Sequence, residues 1–324
     1  MRVIVFGGAG FLGSHVADEL TNRGYEVTIF DCRPSQHLLP KQKMIVGDIL
    51  DSNCVEKAVD GFEVVYNFAG LADLNASISR PVQTIHLNVL GNTHILNACA
   101  HAKTVKRYIY ASTLYVFSNK GSFYGVSKRC SEQIIEEFHR ELGLNYSILR
   151  YGSVYGTRSD RQNRIYRILR QALLEKKIVF EGSGEEEREY IHVRDAAVLS
   201  VDVLNEAFEN QHVILTGVER FRYSELLNII NEVFDNSLKI EYLKQDYRGH
   251  YMITPYSFRP TPGKKLVSNP FVDFGQGMLE TIFEVYEHLR EEGLINTSDI
   301  DYKFVGQKNP GDLSPQTKAN ELFS

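Results

Sequence analysis

The sequence predicts an α/β protein with a doubly wound parallel sheet, followed by a smaller mixed C-terminal part. Three observations predict this class. Short apolar runs alternate with amphipathic helical stretches through the first half of the chain, a glycine-rich turn follows the first run, and the pattern loosens after about residue 156. Alternating strands and helices are typical of a parallel sheet with helices on both faces.

Six apolar runs are predicted to be strands of one sheet: 2–6, 26–30, 43–47, 64–69, 107–112 and 145–150. The predicted helices between them cover 11–23, 52–59, 81–101 and 124–142. The strands are short apolar runs, whereas the helices repeat their apolar residues every three or four positions. Six strands alternating with helices in this way suit the doubly wound, Rossmann-type order.

The chain is expected to divide into two interleaved parts, 1–156 and 157–324, with the second over the carboxyl edge of the sheet. Helices are expected near 161–176, 223–234 and 277–292. KIVF is an expected strand, GSGEEERE a polar loop and YIHV the start of another helix. Proline and glycine predict a loop or edge strand over 253–270, and the tail after about 296 is polar.

Composition excludes several function classes. The chain has 324 residues, is 43% hydrophobic and 24% charged, and carries a net charge of −5. These values are typical of a soluble globular protein and argue against general nucleic-acid binding. No apolar run reaches the roughly 18 residues of a membrane span, and the first residues predict a strand rather than a signal peptide. The four cysteines show neither metal-ligand nor disulfide spacing. We therefore expect a cytoplasmic protein with reduced thiols and no metal.

The glycine-rich turn GGAGFLG predicts a dinucleotide site. Gly7 allows a tight turn directly after the first strand, and Gly10 lets the main chain approach a pyrophosphate. Phe11 and Leu12 open the following helix, whose N-terminal N–H groups and dipole favour phosphate. A glycine trio alone is weak evidence, but its place between a predicted strand and a predicted helix makes it strong.

Asp31 ends the second predicted strand and favours NAD over NADP. A carboxylate at this place accepts hydrogen bonds from the adenosine ribose and repels a 2′-phosphate. Arg33 lies nearby and weakens this preference, and Asp31 could instead be a turn or capping residue. Asp48 and Ile49 follow the third strand, where they could flank the adenine.

The helix over 124–142 begins with a tyrosine–lysine pair. On a wheel of about 100° per residue, Lys128 falls near 40° from Tyr124, within the apolar arc and away from the charged face. Burying an unpaired ammonium is costly, so Lys128 either extends to solvent from the first turn or has a partner in a site. A nearby ammonium and a cationic nicotinamide would favour ionisation of a phenol, whose ordinary pKa is about 10. The pair therefore predicts a proton-transfer site.

Several segments together resemble the extended short-chain dehydrogenase/reductases that act on nucleotide sugars. They are GGAGFLGSH, FAGLADLNASISRP with LNVLGNTHIL, YASTLYVF with YGVSK, LRYGSVYG and REYIHVRDAA. The matches run from residue 1 to about residue 200, with weaker ones near RPTPGKK. FAGL especially resembles the segment after the fourth strand of UDP-glucose 4-epimerases.

The resemblance implies roles for individual residues. It implies that Tyr124 is the acid/base, that Lys128 lowers the pKa of Tyr124 and holds the nicotinamide ribose, and that Thr113 hydrogen-bonds the reacting sugar oxygen. Further implied cofactor contacts are Phe68, Ala69, Gly70, Asn88 and Tyr151, and implied substrate contacts are Leu114, Ser153, Arg188 and Arg259. Asn88 could instead be a helix side chain tied to the backbone, and Arg188 a solvated charge among glutamates. Tyr190 and His192 are expected to be structural.

Departures from the family pattern bear on the reaction. Ser153 stands where many relatives have asparagine, and Ala72 where a polar side chain often contacts phosphate. Leu114 and Tyr115 replace the aspartate–glutamate pair of the 4,6-dehydratases. We therefore expect NAD-dependent C4 epimerisation of a UDP-hexose through a 4-keto intermediate, by a homodimer that pairs helices 81–101 and 124–142. The alternatives are a nucleotide-sugar dehydratase or reductase of the same family, or a non-catalytic NAD-sensing regulator.

Overall fold

The computed structural model describes residues 1–243, 250–252, 264–266 and 272–295. Arg259, most of the stretch 253–270 and the polar tail after 296 lie outside the described residues. The strands are β1 (Arg2–Phe6), β2 (Glu26–Asp31), β3 (Lys43–Val46), β4 (Val64–Asn67), β5 (Arg107–Thr113), β6 (Tyr146–Tyr151), β7 (Ser153–Tyr155), β8 (Lys177–Glu181), β9 (Glu187–His192), β10 (Gln211–Leu215), β11 (Glu219–Arg222), β12 (Lys239–Leu243) and β13 (Lys264–Lys265). The α-helices are α1 (Phe11–Asn22), α2 (Ser52–Val59), α3 (Leu74–Ser79), α4 (Pro81–Ile85), α5 (Asn92–His101), α6 (Ser122–Leu142), α7 (Arg164–Glu175), α8 (Val193–Asp202), α9 (Tyr223–Val233) and α10 (Phe274–Glu291).

A parallel sheet forms the centre of the molecule, with the strand order β13-β10-β6-β5-β4-β1-β2-β3 in the described part. Val3 of β1 lies opposite Val27 of β2 on one side and Val64 of β4 on the other. The chain order therefore reverses at β1, and a ligand cleft is expected at the carboxyl ends of the strands beside such a switch point. The doubly wound parallel class and all six predicted strands are confirmed.

Both faces of the sheet are covered, and β1 shows how. Val3 and Val5 pack in one apolar cluster with residues of α1 and α8, whereas Ile4 and Phe6 pack in a second cluster with residues of α2 and α5. Successive side chains of a strand point to opposite faces, so a continuous apolar run serves both clusters. Each of these fully buried side chains contributes about 1.5–3 kcal/mol relative to exposure.

The second part of the chain has its own apolar cluster, which brings together α7, α9 and α10 with β8 and β9. Strands β10 and β13, from beyond residue 156, extend the central sheet. Strand β10 was not predicted from the sequence. The two predicted parts thus share one sheet, while the boundary at residue 156 remains a prediction.

Two local predictions in the second part were wrong. The polar loop was expected to continue through Glu189, but strand β9 begins at Glu187, and the first three residues of YIHV end that strand instead of opening a helix. Strand β9 pairs antiparallel with β11 and parallel with β7, so tertiary pairing outweighs the high local charge. Helix α8 begins only at Val193, with His192 as its N-cap.

The predicted helix over 81–101 contains a π-helical turn. It consists of α4, a π-helical segment at His86–Gly91 and α5. A short additional helix, α3, precedes it and was not predicted from the sequence. Such π-helical turns occur frequently at functional sites, because the wider backbone turn redirects one side chain. Within the described residues, no helix is long and apolar enough to cross a membrane.

Candidate active site

Thr113, Tyr124 and Lys128 come together at the carboxyl edge of the sheet. Thr113 is the last residue of β5, and Tyr124 lies in the first turn of α6. A hydrogen bond joins the Thr113 and Tyr124 side chains. Lys128 follows one turn later, is 5% exposed, and holds its ammonium 5.9 Å from the centre of the Tyr124 ring. The lysine is therefore buried beside the tyrosine and does not extend to solvent.

The protonation of this pair depends on its burial. Burial raises the pKa of Tyr124 to about 12, although the hydrogen bond with Thr113 offsets part of the increase. The ammonium of Lys128 donates to the carbonyl oxygen of Ala111 at 2.7 Å, and its predicted effect on the pKa of Tyr124 remains a prediction. Burial also lowers the pKa of Lys128, to about 8. Further positive charge beside Tyr124 is needed for a phenolate near neutrality.

A buried ion pair fixes helix α6 to the sheet below this pair. Glu132 accepts hydrogen bonds from Arg150 Nε at 3.1 Å and Nη2 at 2.7 Å, and from the hydroxyl of Ser112. Arg150 lies on β6 and Ser112 on β5, so one carboxylate ties α6 to two neighbouring strands. Side chains held in this way keep the reacting groups within narrow geometric limits.

Asn88 connects the loop after β4 to helix α6. It lies in the π-helical segment and is 1% exposed. Its Oδ1 accepts from the Leu71 N–H at 2.7 Å, while its Nδ2 donates to the Leu71 carbonyl at 2.9 Å and to Ser127 Oγ at 2.9 Å. The amide is thus tied to the backbone of a distant loop and not to its own helix. Gly70 makes room for it, because a Cβ at Gly70 would lie 2.5 Å from Asn88 Oδ1.

The glycine-rich turn lies at the switch point of the sheet. Gly7 has φ +75°, and a Cβ there would lie 2.5 Å from the backbone nitrogen of Ala69. A Cβ at Gly13 would lie 2.3 Å from the carbonyl oxygen of Gly7, so the start of α1 packs directly on the turn. Gly10, the N-cap of α1, supplies no side-chain cap. The first N–H groups of the helix therefore receive no side-chain cap from Gly10.

Asp31 faces the same turn from the end of β2. Its Oδ2 accepts from the Ala9 N–H at 3.1 Å, and its Oδ1 accepts from the Arg33 N–H at 3.3 Å. Asp31 is therefore partly a turn residue, as the alternative interpretation holds. The same bonds also fix its carboxylate beside the glycine-rich turn.

Aromatic and basic side chains line the other side of the candidate site. The Tyr115 ring lies edge-on to Tyr124, with 6.3 Å between ring centres, and 4.8 Å from the ring centre of Tyr251. Arg188 is 2% exposed and lies over the Tyr251 ring at 4.1 Å. The Tyr115 hydroxyl forms a hydrogen bond of 2.6 Å with His250 Nδ1. Arg188 is therefore not a solvated surface charge.

The sequence was compared with known protein families and structures. A profile described as the NAD dependent epimerase/dehydratase family matches residues 3–217, about two thirds of the chain. The chain belongs to this family. Its members are NAD-dependent enzymes of nucleotide-sugar epimerisation and dehydration, so the resemblance inferred from the motifs is confirmed.

Individual relatives of this family member differ in reaction. A putative UDP-glucose 4-epimerase of Methanocaldococcus jannaschii is 32% identical over 256 residues, which cover 72% of this chain and 80% of the relative. A UDP-N-acetyl-alpha-D-glucosaminuronate decarboxylase of Bacillus cytotoxicus is 27% identical over 317 residues, covering 87% and 96%. A UDP-glucose 4-epimerase of Thermotoga maritima, solved with UDP-glucose, superposes with a TM-score of 0.76 at 24% identity and covers 89% of this chain and 100% of its own. The family is shared, whereas the reactions are not.

NAD is the cofactor of this family, and the glycine-rich turn fits it. Phe11 and Leu12 contribute the first N–H groups of α1, and Gly7 and Gly10 keep the turn free of side chains where a pyrophosphate would lie. Asp48 accepts from the Leu50 N–H at 2.9 Å. The role of each residue toward NAD remains a prediction.

Two of the predicted cofactor residues have side-chain contacts within the protein. Ile49 packs against Gly91, where a Cβ would lie 2.6 Å from Ile49 Cδ1. The Tyr151 hydroxyl hydrogen-bonds Ser200 Oγ of α8 at 2.6 Å. Phe68 and Ala69 follow β4, and the Phe68 ring stacks on Tyr66. The contacts of these residues with the cofactor remain predictions.

The predicted substrate residues are brought together only in part. Leu114 is 1% exposed directly after Thr113, and Ser153 is half-buried at the start of β7. Arg188 lies in the same row of side chains as Tyr124, whereas Arg259 is outside the described residues. Sequence reasoning missed His250 and Tyr251, because nothing in the polar stretch before them distinguishes these two from other loop residues. Tyr190 lies in the apolar core and His192 caps α8, as structural residues do.

Proposed function

We propose that the protein is a cytoplasmic NAD-dependent nucleotide-sugar epimerase that inverts C4 of a UDP-hexose through a 4-keto intermediate. Membership of the family supports the cofactor and the substrate class. The joint position of Thr113, Tyr124 and Lys128 supports chemistry at one carbinol carbon. The intact proton-transfer group argues against a non-catalytic NAD-sensing regulator, which would not need it.

The two residues after Thr113 favour epimerisation over dehydration as the reaction of this protein. Elimination of water across C5 and C6 needs a base at C5 and an acid at the C6 hydroxyl. Leu114 is buried and cannot transfer a proton. Burial raises the pKa of Tyr115 well above that of an ordinary tyrosine, so its phenol stays neutral. Epimerisation needs neither group, because only the C4 hydroxyl and its carbon react.

The residues of this chain supply the proton transfer and the positioning. Tyr124 takes the proton of the C4 hydroxyl and later returns it to the 4-keto oxygen, while Thr113 hydrogen-bonds the same oxygen. Bound NAD supplies hydride acceptance and return at C4, and its oxidised ring supplies the positive charge that Tyr124 needs to ionise. In this proposal Lys128 donates to a ribose hydroxyl after exchanging its bond with Ala111. Arg188 binds the diphosphate as a charged donor.

The test is an incubation of the purified protein with candidate UDP-, dTDP-, GDP- and CDP-sugars, followed by NMR and mass spectrometry. The expected product has unchanged mass and inverted C4, formed without net consumption of NAD. Loss of the mass of water would favour a dehydratase, and loss of the mass of carbon dioxide from a uronic acid would favour a decarboxylase. Net oxidation of added NADH would favour a reductase.

We also propose that the enzyme is a homodimer formed through α4, the π-helical segment and α6. Exposed apolar side chains lie on these adjacent elements: Val82, Ile85, Leu90, Phe123 and Val126 are 37–66% exposed. An exposed apolar surface of this kind is typical of a protein interface. Light scattering after gel filtration should give a dimer for the parent protein and a monomer for Ile85→Lys. Val46→Lys replaces an exposed apolar residue on β3, 57% exposed against 37% for Ile85, and should leave the dimer intact.

A further inference from the structure

Four side chains form a continuous row across the candidate site. Tyr124 lies edge-on to Tyr115 at 6.3 Å, Tyr115 lies 4.8 Å from Tyr251, and Arg188 covers Tyr251 at 4.1 Å. Tyr124 and Tyr115 follow the carboxyl end of β5, whereas Tyr251 and Arg188 belong to the second part of the chain. The row therefore connects the proton-transfer group with a buried cation.

The proposed function determines what must lie along this row, and the inference rests on that function. In a nucleotide hexose, C4 and the diphosphate-bearing C1 are on opposite sides of the sugar ring. If C4 lies at Tyr124 and the diphosphate lies at Arg188, the ring between them must pass Tyr115 and Tyr251. Aromatic side chains commonly line sugar and ligand pockets, where a few polar groups fix the orientation.

One polar group between Tyr124 and Arg188 on this row is the Tyr115 hydroxyl, which is held by His250. Their hydrogen bond is 2.6 Å long, and the packing of Tyr115 against Gly121 fixes the other end of the side chain, because a Cβ at Gly121 would lie 2.8 Å from Tyr115 Cβ. Burial and the charges of Arg164, Arg188 and Arg167 lower the pKa of His250 to about 3. The pair is therefore neutral near pH 7, and the phenol oxygen retains hydrogen-bonding capacity besides its bond to His250.

We propose that Tyr115, positioned by His250, is a specificity-determining residue whose hydroxyl hydrogen-bonds the hexose between C4 and the diphosphate. The hydroxyl holds the ring with C4 at Tyr124. Because the pair is neutral where the dehydratase pattern has a carboxylate, it holds the sugar without removing the proton at C5. The consequence is a contact that a nucleotide sugar makes and a nucleoside diphosphate does not.

The experiment compares UDP with UDP-glucose and UDP-galactose by calorimetry, on the full chain loaded with NAD. Tyr115→Phe removes only the hydroxyl and keeps the ring packing. We expect its Kd for UDP to stay within about twofold, and its Kd for the UDP-sugars to rise about tenfold, the equivalent of one hydrogen bond. His250→Gln should give a smaller rise for the sugars. Tyr25→Phe, at a tyrosine beside β2 and far from the row, should change neither.

Unchanged affinity of Tyr115→Phe for the UDP-sugars would overturn the proposal. An equal loss for UDP and the UDP-sugars would also overturn it, because the effect would then lie at the diphosphate. If the parent protein bound no UDP-, dTDP-, GDP- or CDP-hexose more tightly than the matching nucleoside diphosphate, no sugar contact would exist. These binding measurements need no turnover, so they test the sugar contact independently of the reaction. If sugars bound without inversion of C4, the proposed function would be rejected and the sugar contact would still be tested.

Discussion

The ammonium of Lys128 donates to the carbonyl oxygen of Ala111 at 2.7 Å, which joins the catalytic helix α6 to strand β5. The same ammonium lies 4.5 Å from the centre of the Tyr110 ring. A buried cation satisfied in this way by a carbonyl and an aromatic face can be retained without a full ion pair. Lys128 is therefore a structural contact of β5 as well as a candidate ligand of the cofactor ribose.

Replacing Lys128 should change both cofactor binding and the pH dependence of stability. Lys128→Met should weaken NAD binding and lower the turnover rate, because the variant loses the proposed ribose donor. The folded pKa of Lys128 is about 8, below the unfolded value of about 10.4. Its contribution to stability is therefore present above pH 10.4 and lost as the pH falls toward 8.

The measurement is urea unfolding of both proteins with calorimetry of NAD binding. Between pH 8 and pH 10 the free energy of unfolding of the parent protein should increase by about 2–3 kcal/mol relative to that of Lys128→Met. If the free energy of unfolding changed equally with pH in the two proteins, Lys128 would titrate as an ordinary exposed lysine. If Lys128→Met bound NAD with the affinity of the parent protein, Lys128 would not be a ligand of the cofactor ribose.

Removing the hydroxyl of Tyr124 should nearly abolish turnover while the protein stays folded. Tyr124→Phe should lower kcat by at least about 100-fold, the usual contribution of a positioned acid/base group. It should cost only about 1 kcal/mol of stability, because it loses one hydrogen bond, to Thr113. Initial rates measure kcat and thermal unfolding measures stability. An NAD titration checks that the variant still binds the cofactor, and Tyr25→Phe is the matched control. A variant with parental kcat would show that another group transfers the proton.

The pH dependence of the forward rate follows from the same residue. Burial raises the pKa of Tyr124 to about 12. The fraction of phenolate therefore increases with pH throughout the neutral range. A cofactor charge that lowered the pKa into this range would only make the increase level off at a lower pH. We expect the first half-reaction, in which the sugar is oxidised, to accelerate from pH 6 to pH 9. The absorbance of reduced NAD in single-turnover experiments measures its rate. A rate that falls over this interval would contradict Tyr124 as the base.

The carboxylate of Asp31 should select NAD. Its oxygens accept from Ala9 and Arg33 main-chain N–H groups, which hold it beside the glycine-rich turn. A 2′-phosphate would meet this carboxylate, so the parent should bind NAD at least several-fold more tightly than NADP, and Asp31→Ala should narrow the difference. Calorimetry with both cofactors gives the ratio, and Arg33→Ala is the control for the neighbouring cation. If the parent protein bound NAD and NADP with equal affinity, Asp31 would not select NAD, and Arg33 would be the residue to test as a contact of the 2′-phosphate.

The central sheet and the proton-transfer group were predictable because each depends on local pattern. Strand β1, the glycine-rich turn and the pair Tyr124 and Lys128 have signals within one or two helical turns of sequence. Strand β9 was not predictable in the same way, because charged Glu187 and Arg188 become strand residues only when β11 pairs with them.

The sugar side of the site could not be predicted for a related reason. Tyr115 and His250 are separated by 135 residues, and only folding brings them into contact. Ile49 and Tyr151 show a related effect. Ile49 follows β3 and Tyr151 ends β6, yet the Ile49 side chain packs against Gly91 and the Tyr151 hydroxyl bonds Ser200. Position along a strand predicts which residues reach an edge, but the packing around each residue decides where its side chain points.

His192 should make the protein less stable in mild acid. It is 2% exposed, and its Nδ1 accepts from the Arg194 N–H at 3.3 Å, which requires the neutral ring. Burial and the charge of Arg194 lower its pKa to about 3. Since an unfolded histidine titrates near 6.5, the contribution to stability is present above pH 6.5 and lost as the pH falls toward 3.

His192→Asn tests this, because asparagine retains an acceptor for the N-cap of α8 and removes the titrating group. The variant should be less stable at pH 7, since it loses the ring contact with Tyr155, whose centre lies 5.3 Å from that of His192. Between pH 6.5 and pH 5 the free energy of unfolding of the parent protein should decrease by about 2 kcal/mol more than that of His192→Asn. Urea unfolding at several pH values measures both slopes, and the titrations of His15 and His250 are common to the two proteins. Equal slopes would mean that His192 accepts a proton in the folded state, so that burial does not hold it neutral.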